Sequence, residues 1–271
     1  MNNTEKRRAF NKELNAQRKR LARIRQGTLD DVVKELEFAL ARVTNILRRS
    51  PTDYQAWLLP QLEAEIRAVL NAVGAAAGDV VGQSIADSWD LGIQFIDSPL
   101  KSAGISVAAV LPAVDARQLV NLRHFGTSKI KDITAEIASK INTQLVLAVT
   151  GAQPVHDSIQ VITHLFEVSD KERALRVVRT ELGRAFSTST QQRLAQAAEL
   201  LPGMKKQWRK SGKLHARPTH VAANDQIQDV DEPFSVGGVL MMHPHDPAAP
   251  AAEVINCGCT ALPYMESWEL S

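Results

Sequence analysis

Apolar residues recur at helical spacing through most of the first 200 positions of the chain. The two clearest stripes are Leu29, Val32, Leu36, Leu40, Val43 and Leu47, and then Ile130, Ile133, Ile137, Ile141 and Leu145. Steps of three and four residues place side chains on one face of an α-helix. The small residues from Gly74 to Gly78 favour close packing between two such helices. The pattern therefore predicts a mainly helical body.

Glycine and proline divide this pattern into several predicted helices, because both residues are unfavourable inside a helix. We expect breaks at Gly27, at 50–53, at 98–104 and at 126–128. A short helix is predicted over about 155–166 and a longer one over 170–200. Leu201-Pro202-Gly203 then ends the last helix.

The pattern changes after Gly203, where short β-like runs alternate with Gly, Pro and Asn turns. The predicted runs are 206–210, 220–222, 233–236 and 238–242. The predicted fold is mainly α: an extended helical body with a small C-terminal α+β domain rich in β-hairpins. We predict a basic N-terminal arm over 1–26, a helical body over 27–168 and a C-terminal domain over 169–271 that begins with helix 170–200.

Charge is distributed unevenly along the chain, although the formal net charge is only +2. Residues 1–25 hold nine lysines or arginines against two glutamates, which gives +7, whereas 218–271 hold eight acidic residues and no lysine or arginine. The basic segment reads as a polar helix that needs a partner surface. It is typical of a polyanion-binding arm, and the alternative is a solvated helix face.

Several functional classes find no support in the sequence. No run of about 18 apolar residues occurs, so we expect no membrane span, and the first residues lack the apolar stretch of a signal peptide. The motifs Gly-x-Ser-x-Gly, His-Glu-x-x-His and the phosphate-binding loop are missing. We therefore predict that the protein is not an enzyme. The alternative is Cys257 as a nucleophile with His220 as its base.

The two cysteines suggest a metal site instead. Cys257 and Cys259 are two residues apart, so their side chains share one face of an extended segment and both sulfurs can reach one ion. His220 is the predicted third ligand and His215 the first choice for the fourth, with His243, His245 or Asp246 in reserve. Sulfur and imidazole ligands suit a structural zinc ion. Buried free thiols beside a structural histidine, or a redox pair, are the alternatives.

Three blocks of sequence carry a resemblance to a known family. They are Arg176-Val-Val-Arg-Thr-Glu-Leu-Gly-Arg-Ala185, then Trp208 to His220, then Asp231 to Cys259 with its Asn-Cys-Gly-Cys ending. In this order they resemble the phage Mu F-like head-morphogenesis family over roughly 140–262. Two positions depart from the family pattern: His215 stands where Asp is common, and Gly258 where Arg is common.

The resemblance implies a phage minor capsid protein with a structural role in head morphogenesis. Its implied partners are the portal protein and the major capsid protein. The +7 charge of residues 1–25 adds packaged DNA as a candidate partner of that segment. The implied location is the virion, in the capsid interior or at the portal vertex, and the host cytoplasm during assembly. The alternatives are a DNA-binding protein ejected from the virion, or a metal-dependent hydrolase or nuclease.

Overall fold

The computed structural model describes residues 1–49, 59–106 and 110–265. The helices are α1 (Asn3–Arg49), α2 (Leu59–Ser102), α3 (Arg117–Val149), α4 (Val155–His164), α5 (Asp170–Leu200), α6 (Pro218–Ala222) and α7 (Ala251–Val254). The strands are β1 (Met204–Arg209), β2 (Ile227–Asp229), β3 (Phe234–Val236), β4 (Val239–Met241) and β5 (Thr260–Met265). A π-helical turn, Leu165–Ser169, joins α4 to α5. The predicted fold class, mainly α with a small C-terminal α+β region, is confirmed.

The strands form two small antiparallel sheets. In the first, β1 is the central strand and pairs with β2 and β5, and in the second β3 pairs with β4. Met204 of β1 lies opposite Met265 of β5, and Arg209 lies opposite Thr260. The β3–β4 hairpin matches two predicted β-like runs. Strands β2 and β5 were not predicted.

Two predicted helix breaks are wrong, because α1 continues through Gly27 and α3 continues through Gly126. The break predicted at 98–104 is confirmed, since α2 ends at Ser102, although the helix passes through Pro99 before it ends. An interior glycine costs about 1 kcal/mol and an interior proline about 3 kcal/mol, and burial of the neighbouring apolar side chains outweighs these costs. Phe95 and Leu100, on either side of Pro99, are both fully buried. The predicted break at 50–53 lies outside the described residues.

One predicted strand is also wrong, because residues 220–222 belong to helix α6. Pro218 occupies the first turn of that helix. Proline is favourable there, since its fixed φ suits a helix and its missing N–H has no partner to lose. The chain does turn at Gly104, which follows α2 with a φ of +82°.

The chain divides into two compact units, each assembled from segments distant in sequence. The first contains 1–26, 84–122 and 179–271, and the second contains 27–83 and 123–178. In the second unit, the predicted stripe from Ile130 to Leu145 is buried. Thr127 donates from its Oγ1 to the carbonyl oxygen of Gly78 over 3.1 Å. This contact confirms the close helix packing expected at the small residues of α2.

The apolar side of the basic N-terminal segment lies in the core of the first unit. Phe10, Leu14 and Leu21 are buried in one apolar cluster with Phe95 and Phe186. The partner surface that this polar helix was predicted to need is therefore supplied by the same chain.

Among the described helices, α2 is the one long and apolar enough to cross a membrane by length and composition. The most apolar 18-residue window of this helix is 44% buried inside the protein. Core helices of soluble proteins meet the same test, so the absence of a membrane span stays a prediction.

Candidate metal centre

The candidate centre lies where α6 meets the segment that leads into β5. Helix α6 carries His220, whose side chain is buried. Helix α7 is followed by Asn256 with a positive φ of 55°, and this turn directs the chain into Cys257 and Cys259. Both cysteines are buried and unbridged. They belong to a small apolar cluster that also contains Trp208 and Phe234.

The histidine and the two cysteines present their ligand atoms to one point. His220 Nδ1 lies 3.3 Å from Cys259 Sγ and 3.6 Å from Cys257 Sγ. The three ligand atoms all lie within 4.8 Å of one another. The structure therefore brings together three of the four predicted ligands in an arrangement that could hold a metal ion.

Glu253 orients the imidazole from its other side. Its Oε2 lies 2.7 Å from His220 Nε2 and also accepts a hydrogen bond of 3.1 Å from Thr219 Oγ1. When the carboxylate accepts the Nε2 proton, the lone pair of Nδ1 points toward the two sulfurs. Carboxylate–histidine pairs of this kind fix the tautomer of metal-binding histidines.

The two thiols have pKa values displaced in opposite directions. The pKa of Cys257 is lowered because Cys259 donates a hydrogen bond to it, and His220 adds to this effect. The pKa of Cys259 is raised because its proton is held in that hydrogen bond and because the thiol is buried. One sulfur of the pair is thus prepared as a thiolate, which is the form that binds metals.

The pKa of His220 is raised overall, although burial alone would lower it. The hydrogen bond and negative charge of Cys257, together with the hydrogen bond to Glu253, outweigh the burial. Without a metal, the thiolate and the imidazolium therefore stabilise each other inside the small apolar cluster.

The other predicted ligands lie outside this group. His215 is exposed, so the first choice for the fourth ligand is not with the other three. His243 Nδ1 contacts the carbonyl of Pro244 at 2.9 Å. Asp246 accepts hydrogen bonds from the backbone N–H groups of Met242 and Ala248 and so organises its own turn.

His245 differs from the other reserve ligands because neither of its ring nitrogens has a hydrogen-bond partner among the described residues. Burial lowers its pKa to about 4, and the charge of Cys257 acts in the opposite direction. The ring therefore stays neutral, with a free lone pair. It packs against α5, where a Cβ at Gly183 would overlap the imidazole.

Two residues at the centre were missed by the sequence reasoning, Glu253 and Arg25. Glu253 is 33 residues from His220, and Arg25 lies in the N-terminal segment, yet its charge acts on both cysteines. Neither position carries a recognisable spacing motif. Only the folding of α1 and α7 onto the β-containing region identifies them.

The three sequence blocks contact one another in space. Thr180 Oγ1 of α5 accepts a hydrogen bond of 2.9 Å from the backbone N–H of Asn256, immediately before Cys257. Arg217 donates through Nη2 to the carbonyl of Ile255 over 2.6 Å. Helix α5, the Trp208–His220 segment and the cysteine segment thus form one interlocked arrangement, which defines a small α+β domain centred on a His–Cys–Cys cluster.

One comparison with known proteins covers all three sequence blocks. Residues 139–262, slightly less than half of the chain, match the family model described as Phage Mu protein F like protein. The resemblance inferred from the three blocks is confirmed. This match supports a role for the chain in phage head morphogenesis.

One curated relative is an NAD(+)–arginine ADP-ribosyltransferase from Enterococcus faecalis (strain ATCC 700802 / V583), which is 30% identical over 131 residues. The aligned region is 48% of this chain and only 26% of that relative. The chain thus spans about a quarter of the relative's length. No solved structure matches this chain.

Proposed function

We propose that this chain is a minor capsid protein that acts structurally in the assembly of phage heads. The observation that carries the proposal is the family match over residues 139–262. The interlocking of the three family-like blocks around one buried cluster supports an architectural role. The portal protein and the major capsid protein are the proposed partners, and the capsid interior or the portal vertex is the proposed location.

The basic face of α1 supports a contact with packaged DNA or with an acidic partner surface. The basic side chains exposed on the first part of this helix are Arg7, Arg8, Lys12, Lys19, Arg20 and Arg23. Their helix is anchored by its buried apolar side, so the charges form a fixed surface rather than a loose tail. Because these cations are already held in place, binding a polyanion costs less conformational entropy than it would for a flexible tail.

Quantitative mass spectrometry of purified heads tests the capsid role. We expect the protein in DNA-free and DNA-filled heads at a copy number well below that of the major capsid protein. A protein found only in the cytosol of infected cells, and absent from every head intermediate, would contradict the proposal. Reversing the charge at Arg7, Arg8 and Lys12 tests the DNA contact separately, because it leaves the buried face of α1 unchanged.

We further propose that His220, Cys257 and Cys259 hold a zinc ion with a structural role. Zinc–nitrogen and zinc–sulfur bonds of about 2.1 and 2.3 Å in a tetrahedron place the two ligand atoms about 3.6 Å apart. The Nδ1–Sγ distances of 3.3 and 3.6 Å fit this requirement. Burial of all three ligands and the hydrogen bond of Glu253 to His220 support a structural ion.

The zinc proposal has a matched histidine pair for its test. Elemental analysis of protein purified without chelator should find about one zinc per chain. His220→Ala should abolish this zinc, whereas His215→Ala should retain it, because His215 is exposed and outside the group. His245→Ala tests whether that unpartnered ring completes the coordination. No stoichiometric metal, together with unchanged melting of Cys257→Ser, would indicate merely buried thiols.

We propose that the chain has no catalytic activity of its own. A metal held by three protein ligands leaves one coordination position open, as in catalytic zinc sites, and this keeps a metal-dependent hydrolase or nuclease as the competing candidate. Burial of the cluster beside Trp208 and Phe234 argues against access by a polymer substrate. Turnover of DNA by the zinc-loaded protein, lost in His220→Ala and kept in His215→Ala, would favour the competing candidate.

The transferase activity named for the curated relative is not part of this proposal, because the aligned region is only 26% of that protein.

A further inference from the structure

An open cavity of about 510 Å³ lies beside the candidate metal centre, within the first compact unit. One side is formed by α1, where Asn15, Arg18, Ala22 and Arg25 repeat at steps of three and four residues and share a helix face. The other side is formed by the chain that follows β1 and by the residues that lead into β5. The cavity is therefore built by the tertiary fold.

The cavity is lined by positive charge. Arg18, Lys19 and Arg25 line it, and none of its described lining residues is acidic. The positive charge of Arg209 acts on Arg18, and that of Arg25 acts on Lys213. Like charges held this close repel each other. An anion in the cavity would weaken this repulsion.

Arg25 is the residue that points most directly to a ligand. Its side chain is half-buried, and its Nε and Nη2 atoms are enclosed without a hydrogen-bond partner among the described residues. Burial lowers its pKa, yet a guanidinium keeps its proton in proteins. Enclosed donors of a charged group are costly to leave unsatisfied. The planar fork of arginine matches the oxygens of a phosphate group.

The two neighbouring thiols do not account for this charge. Cys257 and Cys259 raise the pKa of Arg25, so a thiolate partly balances it. The same thiolate also faces His220, and neither cysteine lines the cavity together with Arg18 and Lys19. If zinc is bound, its two charges balance both thiolates. The enclosed Nε and Nη2 of Arg25 then have no partner in the part of the chain that the structure describes.

The backbone opposite α1 leaves room for a ligand. A Cβ placed on Gly212 would meet no atom within 4 Å. Gly258 allows the chain that follows β1 and the segment that leads into β5 to approach closely. A Cβ added at Gly258 would lie only 2.8 Å from the Cβ of Ser211. The two segments thus form a compact wall with open space in front of Gly212.

We propose that this cavity is a binding site for a phosphate group, held by Arg25 and Arg18 with Lys19 at its rim. The proposal concerns the pocket alone and does not depend on the capsid role. The phosphate can belong to a DNA backbone or to a free polyphosphate. The two sources share the recognition chemistry and are separated by the experiment.

The first experiment compares Gly212→Glu with Gly212→Gln. Both side chains fit the open space, but only the glutamate places a negative charge among the arginines. Inorganic pyrophosphate is titrated calorimetrically into each protein. Gly212→Glu should bind pyrophosphate at least about tenfold more weakly than Gly212→Gln. Gly212→Glu should also melt at a higher temperature than Gly212→Gln without ligand, because its carboxylate replaces the anion.

The second experiment separates the pocket from the general charge of the helix. Arg18→Gln/Arg25→Gln removes two charges at the cavity, and Arg7→Gln/Arg8→Gln removes two exposed charges from the same helix. The pocket variant should lose pyrophosphate affinity about tenfold while the control keeps it within about twofold. Equal losses in both variants, or no pyrophosphate binding by the unmodified protein, would overturn the proposal.

A short DNA duplex then identifies the source of the phosphate. If pyrophosphate displaces the duplex and the pocket variant loses both ligands, the site holds a backbone phosphate. If the pocket variant loses pyrophosphate alone, the site holds a free polyphosphate, and any DNA binding belongs to the exposed face of α1. Both outcomes support the pocket, and they give opposite answers on the DNA contact.

Discussion

Lys206 should make the stability of this protein depend on pH in the alkaline range. The side chain lies on β1 and is fully buried. Its Nζ donates to the carbonyl oxygen of Met242 over 2.8 Å and lies 5.1 Å from the ring centre of Phe234. Burial lowers its pKa from 10.5 to about 8, although the charges of Asp231, Asp246 and Glu232 oppose the change.

The size and sign of the effect follow from the two pKa values. A fall from 10.5 to about 8 corresponds to about 3 kcal/mol of lost stability while the lysine is protonated in both states. Below pH 8 the full cost is present. Between pH 8 and 10.5, Lys206 has lost its proton in the folded state and still holds it in the unfolded state. The destabilisation caused by burying the lysine therefore decreases across this range. Above pH 10.5 it is gone.

Lys206→Met isolates this contribution, because methionine fills similar space and does not titrate. Urea unfolding of both proteins is measured between pH about 7 and 10.5. The free energy of unfolding of the unmodified protein should rise relative to that of the variant by up to about 3 kcal/mol across this range. In the variant, the carbonyl oxygen of Met242 loses its hydrogen bond from Lys206. This loss costs about 1–3 kcal/mol at every pH, so it does not change how the free energy of unfolding depends on pH.

The control is Lys205→Met, which removes the neighbouring lysine from the same strand. The side chain of Lys205 is 30% exposed and pairs with Asp229 at 3.6 Å, so this variant measures the loss of one charge outside the core. If the stability curves of the unmodified protein and Lys206→Met run parallel from pH 7 to 10.5, the buried lysine does not carry the proposed cost. The reasoning would then be refuted.

Three further predictions concern glycines inside helices. Gly92→Ala should destabilise the protein by about 1–3 kcal/mol, because the new Cβ would overlap Ser189 Oγ and approach a backbone oxygen of α5 to 2.5 Å. Thermal unfolding measures this loss of stability. An unchanged melting temperature would refute the close contact. Gly74→Ala should also destabilise, since its Cβ would overlap Thr134 Oγ1. Gly27→Ala should instead stabilise the protein by about 0.5–1 kcal/mol, because a Cβ at Gly27 would meet no atom within 4 Å. If Gly74→Ala melted at a higher temperature than Gly27→Ala, both predictions would be contradicted.

The predicted helices were correct where the signal is local. Apolar steps of three and four residues describe a helix face whatever lies opposite it, and the stripe from Ile130 to Leu145 is buried as predicted. The predicted breaks at Gly27 and Gly126 were wrong for a different reason, which also lets α2 pass through Pro99 before it ends at Ser102. A glycine or proline penalty of about 1–3 kcal/mol decides the outcome only when no tertiary burial opposes it.

The small sheet was predicted only in part. The β3–β4 hairpin joins residues close in sequence, and its strands were found. Strand β5 pairs with β1 across about fifty residues, so that Trp208 lies opposite Ala261. Pairing over such a distance depends on the whole intervening chain, and no local pattern encodes it.

For the candidate centre, the sequence by itself determined the chemistry: two thiols on one short segment, a histidine upstream, and a basic first helix. Only the tertiary structure decided which groups meet. It leaves His215 in solvent, places Glu253 behind His220, and brings Arg25 of α1 beside the cysteines. The reason is physical. Residue type fixes what a side chain can bind or donate, whereas its neighbours, burial and charge depend on how distant segments pack to cover apolar surface.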